Sequence, residues 1–197
     1  WATVRQLLAA GQIGHLTTIY STFTYHNVDP QDYRNVPEYG GGGLLDIGCY
    51  SISSSRWLFE AEPRRVFGIV DYDPTFKIDR LASAILDFGV GTATFTCATQ
   101  IPRHQREDVC GTLGRIVIEA PFTPPFDAPA RLWLHTTDET RQLVSPAANQ
   151  YQRMGEAFAD AVLSDAEVPT PLEDAYANLK VIDAVFQSGE LGRWVSL

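Results

Sequence analysis

The segment that decides the fold and the candidate site is Glu38-Tyr39-Gly40-Gly41-Gly42-Gly43-Leu44-Leu45-Asp46-Ile47-Gly48-Cys49-Tyr50. Four glycines lead directly into an apolar run that carries one carboxylate and one phenol. The run predicts a helix over residues 43–59, because small and apolar side chains recur on one face at Leu44, Ile47, Ser51, Ser54 and Leu58. On such a helix Asp46 and Tyr50 lie about one turn apart on the same face.

The glycine run has three possible interpretations. A phosphate-binding loop is one, but the GxGxxG spacing, a preceding strand and a Walker lysine are all missing. Close approach of the backbone to a substrate or a partner domain is the second, and a purely structural loop is the third.

Asp46 and Tyr50 are either ordinary helix surface residues or a chemical pair. In the second case Tyr50 transfers a proton at an alcohol oxygen, and Asp46 holds a neighbouring hydroxyl of a small polyol. Tyrosine needs a nearby cation to lower its pKa for this role. The only lysines, Lys77 and Lys180, are distant in sequence, so the cation is expected from elsewhere.

The composition excludes several classes of protein. The 197 residues are 45% hydrophobic and 20% charged, which is typical of one globular domain. A net charge of -9 without a run of Lys or Arg argues against nucleic acid binding. No apolar run is long enough to span a bilayer, so we expect a cytoplasmic location without membrane contact. No metal site is expected, and Cys49, Cys97 and Cys110 are predicted to be buried thiols without disulfides.

Segments rich in β-branched and aromatic residues predict a sheet. A first helix ends near Gly11 and is followed by a strand over residues 15–25. Further strands are predicted over residues 65–72, 81–88, 92–101, 105–111, 115–119, 131–135 and 141–144. Because short turns connect most of them, we expect an α+β fold in which an open, mainly antiparallel sheet carries helices on one face.

Two helices are predicted at the end of the chain. The first has Asn149 as its predicted N-cap, and its apolar face consists of Tyr151, Met154, Phe158 and Val162. The second is predicted to begin in a capping box from Thr170 to Glu173, with Pro171 at the first helical position, and to end at Gly189. Its predicted buried stripe is Ala175, Leu179, Ile182 and Phe186.

The run Asp32-Tyr33-Arg34-Asn35-Val36-Pro37, continued by the glycine segment to Tyr50, resembles the segment that opens the second-domain helix in the Gfo/Idh/MocA family. It is most similar to the tyrosine-bearing branch, which includes glucose-fructose oxidoreductase, xylose dehydrogenase and dihydrodiol dehydrogenase. Many other members carry histidine in place of Tyr50. Weaker similarity at residues 7–14, 111–118 and 178–185 extends the resemblance over nearly the whole chain.

The resemblance implies that residues 1–197 form one substrate-binding and dimerisation domain, with the fold of the glyceraldehyde-3-phosphate dehydrogenase-like C-terminal domain. It implies that Tyr50 transfers the proton, that Asp46 positions sugar hydroxyls and that Arg34 contacts substrate or cofactor. The glycines at positions 41–43 are then expected to lie against the cofactor: Gly41, Gly42 and Gly43. A homodimer or larger oligomer through the open face of the sheet is also implied.

Family members have an N-terminal Rossmann domain that binds NAD or NADP and carries a Glu-Lys-Pro motif. This chain contains neither that motif nor the dinucleotide fingerprint, and it begins at Trp1 with Met154 as its only methionine. We therefore expect a piece of a longer protein, with no cofactor tightly bound to this chain alone and no hydride transfer by it.

The expected function is the substrate-binding and proton-transfer domain of an NAD(P)-dependent oxidoreductase acting on a sugar, a cyclitol or a related alcohol. The alternative is a non-catalytic binding or assembly module with the same fold. Retention of both Asp46 and Tyr50 favours the enzyme.

Overall fold

A nine-stranded sheet forms the centre of the molecule in the computed structural model, which describes all residues from 1 to 197. The helices are α1 (Ala2–Ala9), α2 (Cys49–Phe59), α3 (Gln150–Ser164) and α4 (Leu172–Leu191). The strands are β1 (Leu16–His26), β2 (Arg65–Tyr72), β3 (Asp79–Asp87), β4 (Thr92–Ala98), β5 (Gln100–Gly111), β6 (Gly114–Ile118), β7 (Ala130–Thr136), β8 (Thr140–Ser145) and β9 (Val195–Ser196). Two 3-10 turns, Tyr33–Asn35 and Pro37–Tyr39, and a π-helical turn, Leu44–Gly48, precede α2.

The strand order is β8-β7-β6-β5-β1-β4-β3-β2-β9. Only β1 and β4 run parallel, and the other neighbours are antiparallel, so the predicted open, mainly antiparallel sheet is confirmed. The predicted strand over residues 92–101 is wrong in its extent. Because β1 lies between β4 and β5, the chain leaves β4 after Ala98 and enters β5 at Gln100 on the far side of β1.

The hydrophobic core lies between one face of this sheet and the helices. Alternation along β1 turns Ile19, Ser21 and Phe23 towards the core, whereas Tyr20 is exposed on the open face. The predicted stripe of α2 and the turn before it is confirmed, since all five of its residues are buried: Leu44, Ile47, Ser51, Ser54 and Leu58. The α+β architecture with helices on one face therefore follows the sequence pattern.

Helix α4 corrects three sequence-based predictions, which concern its buried stripe, its start and its end. Within the predicted stripe only Ile182 is fully buried. The other buried residues of α4 are Val181, Ala184, Val185 and Ser188, and Val185 and Ser188 contact Gly68 of β2. A Cβ at Gly68 of β2 would lie 2.8 Å from the carbonyl oxygen of Val185, so glycine permits this close contact.

Both ends of α4 differ from the prediction. The helix continues past Gly189 to Leu191 and is closed by Gly192 in the left-handed conformation, with φ of 61°. Pro171 is the N-cap and no side chain caps the helix, so the predicted capping box at Thr170 is wrong. The start of α4 therefore leaves its first amides without a side-chain partner.

Helix α3 begins as predicted, since the Asn149 side chain accepts hydrogen bonds from the backbone N–H groups of Tyr151 and Gln152. Its apolar face nevertheless points to solvent. The four residues of this face are each between 63% and 67% exposed to solvent: Tyr151, Met154, Phe158 and Val162. We call these four residues the α3 stripe.

No helix combines the length and the hydropathy needed to cross a membrane. No group of three or more His, Cys, Asp or Glu side chains is arranged to hold a metal ion. All three cysteines are free thiols; Cys97 is buried as predicted, whereas Cys49 and Cys110 are only partly buried.

Candidate active site

Asp46 is the centre of a hydrogen-bonded network at the start of α2. Its Oδ2 accepts a hydrogen bond of 2.5 Å from the Tyr25 hydroxyl, and its Oδ1 accepts one of 3.1 Å from Nε of Arg34. Burial, followed by the hydrogen bond to Asp46, raises the pKa of Tyr25 well above its usual range. Each carboxylate oxygen has a second lone pair, so Asp46 can still accept a hydrogen bond from a ligand hydroxyl.

Tyr25 was not predicted from the sequence. It lies near the end of β1, 21 positions before Asp46. The only signal in the sequence is an aromatic residue with a polar tip at the end of a predicted strand, a position where such a side chain reaches from the core to a polar neighbour.

Arg34 is held beside Asp46 by the 3-10 turn that contains it. Asp32 is the N-cap of that turn and accepts a hydrogen bond from the Arg34 backbone N–H at 2.9 Å. That backbone hydrogen bond is the main reason why the pKa of Asp32 is lowered. The Arg34 guanidinium also lies 4.4 Å from the centre of the Tyr33 ring. Arg34 is therefore a positioned, partly exposed cation next to Asp46.

Tyr50 lies in the first turn of α2 and is 43% exposed. Its ring packs against Phe23 and Phe122, with ring centres 5.8 and 5.7 Å apart, and its hydroxyl makes no hydrogen bond within the chain. Burial raises the pKa of Tyr50, and Cys49, Tyr151 and Asp46 raise it further. The phenol therefore keeps its proton, and it presents that proton towards the solvent or a ligand.

The structure places Asp46, Arg34 and Tyr50 near one another, although the predicted helix that carries Asp46 and Tyr50 starts differently. The π-helical turn carries Asp46, and regular α-helix begins only at Cys49. Turns of this kind are rare and are frequently found at functional sites. The charges of both Asp46 and Arg34 act on the pKa of Tyr50, which places the three side chains in one neighbourhood.

The glycine run packs tightly against its own chain. Gly42 has φ of 119°, and a Cβ there would lie 1.8 Å from Oδ1 of the buried Asp79. Oδ2 of Asp79 accepts the Leu44 backbone N–H at 2.6 Å, and burial raises the pKa of this carboxyl to about 6. A Cβ at Gly41 would lie 2.5 Å from the Arg34 carbonyl oxygen. The glycines thus allow Asp79 and the loop to pack around the π-helical turn.

A cavity of about 350 Å³ opens beside Tyr50. Trp57, Phe122 and Trp1 form its aromatic walls, and residues 169–171 with Asp174 close the side formed by α4. Its size is at the lower end of the range of small-molecule sites, about 300–1,000 Å³.

Glu107 is a buried carboxyl behind this cavity that the sequence analysis did not single out. Its Oε2 accepts a hydrogen bond of 2.9 Å from Ser54, whose side chain also lines the cavity, while Oε1 has no partner. Burial raises the pKa of Glu107 to about 8. Glu107 could have been found from the sequence, because it is a charged residue at a core-facing position of the predicted strand that became β5.

Glu107 predicts an unusual dependence of stability on pH. Between its ordinary pKa of 4.5 and about 8, the folded protein keeps a proton that the unfolded chain has released. The free energy of unfolding is therefore expected to fall as pH rises through this window, by up to about 5 kcal/mol relative to Glu107→Gln. Urea unfolding from pH 4.5 to 9 measures the difference, and Glu119→Gln, at an exposed position, is the control. Parallel curves for wild type and Glu107→Gln would contradict the prediction.

Comparison with known proteins identifies the family. Residues 1–117, more than half of the chain, match the model of the GFO/IDH/MocA C-terminal domain. The chain belongs to the GFO/IDH/MocA family. The expectation drawn from the glycine segment and Tyr50 is thus confirmed.

Relatives of this GFO/IDH/MocA domain are oxidoreductases. An uncharacterised oxidoreductase of Rhizobium meliloti is 38% identical over 98% of this chain and 60% of its own length. An NADP-dependent D-xylose 1-dehydrogenase of Haloferax volcanii is 29% identical over 96% of this chain and 59% of its own length. A 3-ketoreductase from Actinomadura kijaniata, solved with NADP and TDP-benzene, superposes with a TM-score of 0.88 at 27% identity, over 95% of this chain and 58% of that one.

The chain therefore spans about three fifths of the length of these relatives. Its sheet has a single parallel pair, β1 and β4, and lacks the repeated βαβ units of a dinucleotide-binding domain. The Tyr50 site lies within this GFO/IDH/MocA domain.

Proposed function

We propose that this chain is the substrate-binding and proton-transfer domain of an NADP-dependent oxidoreductase that acts on a sugar, a cyclitol or a related alcohol. The observation that carries the proposal is the exposed, unpaired hydroxyl of Tyr50 beside the network of Asp46 and Arg34, at the mouth of a cavity. Relatives named as xylose dehydrogenase and ketoreductase favour NADP and a sugar-like substrate.

Tyr50 acts as the proton donor when a carbonyl is reduced. Bound NADPH supplies the hydride. Because the pKa of Tyr50 is raised, its hydroxyl is protonated at neutral pH and can protonate the oxygen that becomes an alkoxide. In the direction of oxidation the same phenol has to accept a proton. The charge of Arg34 lowers the pKa of Tyr50, but burial and the other neighbouring groups outweigh it, so a further cation is needed. We expect the lysine of the Glu-Lys-Pro motif, which the family resemblance implies, to supply it.

Asp46 and Arg34 orient the substrate in this proposal. Asp46 accepts a hydrogen bond from a substrate hydroxyl. The hydrogen bonds from Tyr25 and Arg34 hold the Asp46 carboxylate in place. Arg34 keeps donors available for a substrate oxygen or for the cofactor. Contact of Gly41, Gly42 and Gly43 with the cofactor stays a prediction, because the space next to their Cα atoms is occupied by other residues of this chain.

The α3 stripe is the surface on which we place the nucleotide-binding domain. It is an exposed apolar helix face, and its first residue, Tyr151, lies close enough to Tyr50 to raise the pKa of that phenol. A domain seated on the stripe would cover apolar surface and also border the site.

A cytoplasmic location of the protein stays a prediction.

The open face of the sheet is proposed as the interface of a homodimer or larger oligomer. One row across four strands of this face consists of Tyr20, Thr94, Ile85 and Phe67, and Ile69 is exposed next to this row.

Ile69→Lys is expected to shift the protein to the monomer in light scattering, because it places a charge in an apolar contact. Val90→Lys, at an exposed turn outside this face, should leave the assembly unchanged. A dimer that persists in Ile69→Lys would argue for a different interface.

Turnover by the full-length protein tests the proposed function. Aldoses and cyclitols are assayed with NADP and their carbonyl forms with NADPH, and the 197-residue chain is assayed alongside. We expect turnover with the full-length protein only. Sugar binding without any turnover would favour the alternative, a non-catalytic binding or assembly module, and turnover by the chain alone would overturn its expected inactivity.

A further inference from the structure

The cavity beside Tyr50 extends along α2, away from the proton donor. Tyr50, Ser53 and Trp57 are spaced at i, i+3 and i+7, so they lie on one face of α2. The helical rise places Trp57 about 10 Å from Tyr50 along the axis. A sugar ring whose reacting carbon is at Tyr50 would leave the Trp57 end of this cavity empty.

The distant end of the cavity is aromatic. Trp57 is 43% exposed and meets Trp1 edge to face at 6.1 Å between ring centres. Trp1 in turn stacks on Phe122 at 6.3 Å. The hydroxyl of Ser53 makes no hydrogen bond within the chain, so it can bind a ligand hydroxyl there. Aromatic walls with one free polar group suit a ring that has an apolar face.

The charge around this end of the cavity is negative. Asp174 is the only charged residue that lines it. Arg56, which pairs with Asp174 at 3.0 Å, is buried and bound to both oxygens of Glu62, so it offers no free donor to a phosphate. Arg5 lies 4.7 Å from the centre of the Trp57 ring and is paired with Glu60. A diphosphate placed here would face Asp174 without a compensating cation.

We propose that the Trp57 end of this cavity is a subsite for a second, uncharged ring of the substrate, so that the enzyme acts on a neutral glycoside, with a sugar or aryl group attached, rather than on a nucleotide sugar. The inference rests on the proposed function, because it assumes that the reacting sugar sits at Tyr50. It sets this protein apart from relatives named for dTDP-sugar reduction.

Binding without nucleotide tests the subsite independently of hydride transfer. Isothermal titration of the full-length protein compares methyl β-D-xyloside, 4-nitrophenyl β-D-xyloside and dTDP-glucose. We expect the aryl xyloside to bind about tenfold more tightly than the methyl xyloside, a gain of the size expected for burying part of an aromatic ring. We expect dTDP-glucose to bind no better than the methyl xyloside.

Trp57→Ala is expected to remove the gain in affinity of the aryl xyloside over the methyl xyloside. Trp57→Leu is expected to reduce this gain, because it keeps an apolar side chain in the cavity wall. Trp194→Ala is the matched control: Trp194 is 40% exposed, lies under Arg65 at 4.6 Å, and does not line the cavity. Equal affinities for the two xylosides, a gain that survives in Trp57→Ala, or tightest binding of dTDP-glucose would each overturn the proposal. Absence of turnover with tight aryl xyloside binding would instead count against the proposed function alone.

Discussion

Tyr50→Phe in the full-length protein is expected to lower kcat by about 100- to 10,000-fold, the range attributed to general acid catalysis. KM should change little, because the ring of Tyr50 keeps its contacts with Phe23 and Phe122. Folding stability should not change either, since the Tyr50 hydroxyl makes no hydrogen bond within the chain. Steady-state kinetics and urea unfolding on the same preparation measure both effects.

Tyr20→Phe is the control for Tyr50→Phe. Tyr20 is a similarly exposed phenol, but it lies on the opposite face of the sheet, so its loss should leave kcat unchanged. A Tyr50→Phe enzyme with nearly normal kcat and the same pH profile would remove Tyr50 from proton transfer. The assignment of the donor would then move to another group at the site.

Gly42→Ala is expected to lower the free energy of unfolding by about 2–5 kcal/mol. Its φ of 119° is unfavourable for any residue with a Cβ, and the added atom would lie 1.8 Å from Oδ1 of Asp79. Displacing Asp79 would also break its hydrogen bond to the backbone N–H of Leu44 at the start of the π-helical turn. Urea unfolding measures the loss, and a parallel loss of sugar binding is expected because Asp46 lies in that turn.

Gly155→Ala is the matched glycine control. A Cβ at Gly155 has nothing within 4 Å, and the residue lies inside α3 with ordinary helical geometry. The substitution should raise stability by about 1 kcal/mol, because alanine is the better helix former. If both glycine variants had the same stability as the wild type, close packing at Gly42 would not be a constraint on the fold.

The parts of the fold that were predicted correctly depend on the spacing of apolar residues within a single helix or strand. The strands and the stripe from Leu44 to Leu58 follow from spacing within one element, and spacing determines which side chains face the core. The stripe of α4 was misplaced because small residues on the partner strand, such as Gly68, let a different face of the helix pack closely. The choice of the buried face of α4 therefore depends on the sequence of β2 and cannot be read from α4 alone.

The parts of the site that could not be predicted depend on contacts between distant segments. Tyr25 and Asp46 are 21 residues apart, and the backbone N–H of Leu44 binds Asp79 across 35. Ser54 and Glu107 are 53 residues apart. A single sequence has no pattern that records such pairs, so the groups that hold Asp46 and surround Tyr50 could not be predicted.

The insertion of β1 between β4 and β5 has a consequence for how the chain folds. Strand β1 is made first, but it bonds with residues that lie far along the chain: Thr18 meets Thr92 across 74 positions, and Thr17 meets Cys110 across 93. Such long-range pairing carries a large loop-closure entropy and slows folding. The hairpins on either side can form locally, whereas the centre of the sheet has to wait for β5 to be synthesised. Until then the edge of β1 that will pair with β5 is open to pairing with other chains, so synthesis at high concentration favours aggregation of this domain.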